Sequence, residues 1–152
     1  MKIIAMTKAA VLFNGIKFPF ALIDRAFDWA KKEKGLLLAV FLLSKDADPE
    51  GYIFPSDIDA AEDQFNETDS VSDSQKVIDS NIQMLKHRAS ADGIDFQSIV
   101  LYDPSETRLS ETLLDFKRIF VTGNVNEVSD GTIESIDLRQ WIKNYDGVVE
   151  EI

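Results

Sequence analysis

This sequence predicts an α/β fold: a single three-layer α/β/α sandwich around an open, mostly parallel sheet, spanning residues 1–152. Three observations predict it. Apolar runs of strand length alternate with segments whose apolar residues recur at helical spacing. The run 36–43 is apolar throughout, as a strand buried on both faces must be. Turn residues separate these pieces at the rhythm of strand–helix–strand units, which implies right-handed crossovers with helices on both faces.

Lys2, Ile3, Ile4 and Ala5 make residues 2–7 the first expected strand. Asn14-Gly15 between two apolar pieces supplies the positive φ angles of a tight turn, so residues 11–18 read as a hairpin inserted before the first helix. That helix, 21–34, places Leu22, Ile23, Ala26, Phe27 and Ala30 on one face. Lys31, Lys32 and Lys34 suit its C-terminal dipole, and Gly35 is its expected stop. Strand 36–43 follows. A second helix over 72–91 carries Val77, Ile78, Ile82, Leu85 and Ala89, and Gly93 punctuates it. Residues 94–101 are the third strand. Ser105 and Ser110 are alternative starts for the next helix, whose apolar face holds Leu109, Leu113, Leu114 and Phe116. Residues 117–123 are the fourth strand, 132–136 a candidate fifth, and 137–145 a last helix with Leu138, Trp141, Ile142 and Tyr145 on one side.

Charge and composition exclude several function classes. The 152 residues carry a net charge of −11. Ten of the 27 acids fall in residues 46–73, a stretch without Lys or Arg, while the rest of the chain is nearly neutral. With Pro49 and Pro55, that stretch reads as an acidic loop inserted after the second strand. A nucleic-acid partner needs a basic face, and so does an anionic membrane; neither is expected. With no cysteine, disulfides, thiolate catalysis and cysteine-bound metals are excluded. No apolar run reaches membrane-spanning length, and the first residues lack a secretory pattern, so a cytoplasmic protein is expected.

Sites in open parallel sheets gather at the carboxyl ends of the strands. The expected strand ends fall near Thr7 to Ala9, Ser44 to Lys45, Tyr102 to Asp103 and Thr122 to Asn124. The order of elements resembles the universal stress protein family. The likeness rests on Lys2-Ile3-Ile4-Ala5, on residues 26–40 as helix into strand, on Gly93-Ile94-Asp95-Phe96 leading to Tyr102-Asp103-Pro104-Ser105-Glu106, and on Lys117 to Gly123. It covers about the first 123 residues. The resemblance implies a Rossmann-like sheet, a role in stress response and self-pairing as a homodimer.

The family's ATP-binding members carry an aspartate ending the first strand and a glycine-rich stretch after the fourth. This chain has Met6-Thr7-Lys8 at the first place. At the second it has Gly123-Asn124-Val125-Asn126-Glu127-Val128, with the next glycine at Gly131. Without those glycines, backbone amides cannot close on phosphate oxygens, and Glu127 and Asp130 repel them. The expectation is a degenerate site without ATP or any other cofactor, its crevice covered or filled by the apolar hairpin at 13–20, whose aromatic group Phe13, Phe18 and Phe20 reads as core or lid, with a dimer surface as the alternative. By fold analogy the crevice positions are Thr7, Val40, Asp103, Gly123 and Asn124.

Three further readings complete the set. Asp46, Asp48, Glu50, Gly51, Ile53 and Asp57 match a calcium loop at positions one, three, five, six, eight and twelve, against the plainer reading of a solvated acidic loop. His87, the only histidine, lies between Lys86 and Arg88 and reads as a surface residue. Asp103, Ser105 and Glu106 read as turn and capping chemistry rather than ligand groups. No nucleophile–base pair emerges. The function expected is therefore a non-enzymatic regulatory or interaction protein, with an unassigned protein partner or small-molecule ligand. The alternatives are a nucleotide or other small molecule held by nonstandard crevice residues, and, more weakly, calcium at 46–57.

Overall fold

A computed structural model describes residues 7–44, 73–123, 125–128 and 131–152. It confirms the α/β expectation. Among the described residues, five strands form one parallel sheet: β1 (Lys8–Asn14), β2 (Leu36–Leu43), β3 (Asp95–Tyr102), β4 (Arg118–Val121) and β5 (Val148–Glu151). Four helices connect them: α1 (Phe20–Glu33), α2 (Asp73–Asp92), α3 (Glu106–Thr112) and α4 (Leu138–Lys143). The strand order is β3-β2-β1-β4-β5.

The alternation of side chains along each strand builds two cores. Ala9, Val11 and Phe13 of β1 and Leu37, Ala39, Phe41 and Leu43 of β2 pack under α1 and α2. Ala10, Leu12, Leu38, Val40 and Leu42 point the other way, under α3 and α4. A strand apolar at every position is the only kind that can serve both layers, which is why residues 36–43 show no alternation in sequence.

Two expectations about the chain's start and end are corrected. The first strand of the sheet is Lys8–Asn14, paired in register with β2 and β4, so no hairpin occupies 11–18. Asn14-Gly15 ends a strand instead of turning between two, and Gly15, at φ +86°, donates its N–H to Leu42 O. The proposed strand at 2–7 lies outside the described residues except for Thr7. The fifth strand is Val148–Glu151 and not 132–136, because it is 148–151 that pairs with β4.

Helix ends follow local chemistry. Lys34, at φ 52°, takes the left-handed position expected of Gly35. Gly35 is needed for a different reason: a Cβ there would stand 2.5 Å from Thr7 O. Ser105, not Ser110, starts α3, its side chain accepting from Arg108 N at 3.1 Å. The edge strand β5 is tied down by charge, with Glu150 between Arg25 (2.8 Å) and Arg118 (3.2 Å). Among the described residues no helix is long and apolar enough to cross a membrane.

Candidate functional site

The order β3-β2-β1-β4-β5 reverses direction between β1 and β4. The connections leaving those two strands run to opposite faces, and a crevice opens between them at the carboxyl edge. A cavity of about 350 Å³ lies there. Its floor is the end of β1, from Leu12 to Asn14; one side is the segment Lys17 to Pro19, and the other is formed by Thr122, Val125 and Glu127.

Asn14 ties the floor to the side formed after β4. Its Nδ2 donates to Val125 O at 2.9 Å, and its Oδ1 accepts from Ile133 N at 2.9 Å. One side-chain amide therefore satisfies two backbone groups of the segment after β4. The same segment is held elsewhere too. Gly131 O accepts from Ser44 N at 2.8 Å, past the end of β2. Gly131 has φ +79°, and a Cβ there would stand 2.8 Å from Leu43 Cδ1, so the close crossing needs glycine. Asn126 donates to Asp137 Oδ1 and accepts from Arg139 N, which binds the segment to the start of α4. Arg139 also donates to Gly123 O and pairs with Glu151. The Asn126 amide, then the Gln140 N–H, holds the Asp137 carboxyl below the usual carboxylate range.

Of the aromatic group, Phe13 and Phe18 line the cavity and Phe20 does not. Phe13 is 2% exposed and stacks on Phe41, 4.8 Å between centroids, and on Phe18, 5.6 Å. Phe18 meets Phe20 edge-on at 5.6 Å, and Phe20 itself is 63% exposed. At the mouth, Lys17 Nζ pairs with Glu127 Oε1 at 2.9 Å. Among the described residues Lys17 is the one cation lining the cavity, and that carboxylate pairs with it.

The structure disperses the crevice positions read by fold analogy. Thr7 lies at the amino end of β1, where its carbonyl accepts from Leu36 N. The shift in strand register puts it at the opposite edge of the sheet. Val40 is 0% exposed, mid-strand in the layer under α3 and α4. Asp103, at φ 40°, follows β3 at the sheet's edge and donates its N–H to Leu43 O. Gly123 adjoins the lining residue Thr122. Asn124 and the candidate calcium loop at 46–57 lie outside the described residues. Asn14 and Lys17 line the crevice although neither is among the positions read from the sequence. Their signal was Asn14-Gly15 itself, which marks a strand end as well as a hairpin turn.

No protein-family profile matches this chain, and no curated protein matches it by sequence. Solved structures do. The universal stress protein UspA from Lactobacillus plantarum superposes with a TM-score of 0.61 at 11% identity, over 97% of this chain and 99% of that one. A universal stress protein in complex with cAMP gives 0.57 at 15% identity, over 96% of each chain. A protein of the family from Burkholderia pseudomallei gives 0.54 at 16%, over 96% of this chain and 95% of that one. The chain therefore has the fold of universal stress proteins. On that fold, Asn14 closes the first strand of the sheet.

Proposed function

We propose that this chain is a non-enzymatic, stress-protein-like regulatory protein whose β1/β4 crevice takes a small ring-bearing molecule and not a nucleoside triphosphate. The observation that carries this reading is the Lys17–Glu127 pair at 2.9 Å across a cavity walled by Phe13 and Phe18. A triphosphate needs unpaired cations or glycine-backed amides, and here the lining cation is matched by a carboxylate. An aromatic wall suits a base or other flat ring. The similar structure solved with cAMP makes a cyclic mononucleotide the first ligand to try.

Calorimetry on the full chain with adenosine, cAMP and ATP tests this reading. The expected result is binding of adenosine or cAMP with ATP at least tenfold weaker. Tight ATP binding, or no binding by either of the others, overturns it. The open edge of β5, with Val148 and Ile152 exposed, supports self-association as a homodimer. Native mass spectrometry reads that state directly, and a monomer at all concentrations counts against it.

A further inference from the structure

A second cavity, of about 390 Å³, lies far from the crevice, between α3 and α4. It opens beside the residues leading into β4 and β5, at the amino end of those strands. Trp141 and Tyr145 form its aromatic side, 5.5 Å apart and tilted by 35°. Both rings spend their polar atoms on the protein. Trp141 Nε1 donates to Ser110 Oγ at 3.0 Å, and the Tyr145 hydroxyl donates to Phe116 O. What they offer the groove is ring surface, most of it from the half-buried Tyr145, since Trp141 is only 7% exposed. Leu114, 73% exposed, adds an apolar flank that any occupant would cover.

The charges around this surface are Glu106 and Asp146 against Lys117. Among the lining residues they leave one negative charge in excess, with Lys8 outside the lining but beside Phe116, on a chain whose overall charge is −11. The field is felt at the ring: the Tyr145 phenol is pushed up to about 12, first by burial and then by Asp146. The neighbourhood already makes one contact of the matching kind, because Lys8 Nζ stands 6.0 Å from the centroid of Phe116, which also lines the groove. The other cation–ring contacts of the described residues engage Phe120 and Phe27 and leave the Trp141–Tyr145 pair unused.

We propose that this groove is a second small-molecule site, and that it takes an organic monocation bearing a flat ring, an arylalkylammonium. Its ring covers Leu114 and lies against Trp141 and Tyr145, and its ammonium is held between the ring faces and the carboxylates of Glu106 and Asp146. An anion of the same shape meets two carboxylates, and a neutral analogue gains only the apolar contact. The site is independent of the crevice and of any ligand bound there.

The indole N–H resonances of the full, nitrogen-15-labelled chain give the readout. There are two tryptophans, and Trp29 sits in the opposite core as an internal control. Titration with phenethylammonium is expected to shift the Trp141 indole N–H saturably while Trp29 stays in place. Phenethyl alcohol and 3-phenylpropionate should bind about tenfold more weakly, the size of one cation–π contact plus one exposed ion pair. Asp146→Asn and Glu106→Gln each remove a charge from an exposed position and should weaken the ammonium by about twofold to fivefold. An unmoved Trp29 resonance shows that each variant is folded. The proposal is overturned if the Trp141 shift fails to saturate, if the alcohol or the carboxylate binds as tightly as the ammonium, or if both variants bind it unchanged.

Discussion

Asn14 shows how much one side chain can organise. Its amide joins the end of β1 to Val125 O and Ile133 N, both on the segment that forms the far side of the crevice. Asn14→Ala leaves a buried carbonyl and a buried N–H without partners, so the expected loss is about 2–4 kcal/mol, read by denaturant unfolding. Asn14→Asp keeps the bond from Ile133 N but turns a carboxylate toward the Val125 carbonyl. It should also destabilise, and an equal or more stable aspartate variant would show that the amide is not the tie. Tyr145 makes a prediction about alkaline pH. Its phenol titrates at about 12 in the fold against 10.0 when free. Below pH 10.0 both states keep the proton and the full stability is present. Above it the unfolded chain loses its proton first, so stability falls as pH rises through the folded value, and Tyr145→Phe should flatten that fall in unfolding curves.

At the scale of elements, the short helix α3 depends on its start. Seven residues make only about two turns, too few to hold a helix by propensity alone. Ser105 accepts from Arg108 N, and Leu109 and Leu113 bury the inner face. Ser105→Ala should cost about 1 kcal/mol and raise amide exchange at the start of α3, with little change elsewhere. Ser110, the rival start read from sequence, instead accepts from the Trp141 indole. Two serines with identical local credentials thus take different roles, and only the packing of α3 against α4 separates them. The last strand teaches the same lesson. Val148–Glu151 carries two acids and only four residues, a weak strand signal. It is held by pairing with β4 and by Arg25 and Arg118 on Glu150, partners far away in sequence.

For the whole molecule, the central strands carry two layers at once. Phe41 is 1% exposed, packs in the α1/α2 layer and stacks directly on Phe13, which forms part of the crevice floor. Phe41→Ala should therefore cost about 3–5 kcal/mol in thermal or denaturant unfolding. It should also loosen the crevice wall, so a crevice ligand would bind the variant more weakly while the α3/α4 groove stays unaffected. That separation follows from the sheet, which stands between the two cores.

Much of this architecture was legible in the chain. Leu36 to Leu43 could only be a doubly buried strand, and Leu22, Ile23, Ala26, Phe27 and Ala30 could only be one helix face, because those signals are local and periodic. The choice of first strand was not local. Residues 2–7 and 8–14 both have strand composition, and a frame of seven residues is chosen by which one pairs with β2 and β4. That choice moved Thr7 to the far edge and brought Asn14 and Lys17 to the crevice. Periodicity determines what kind of element a segment becomes; only long-range pairing decides which residues stand at its carboxyl end, and a site is built from those.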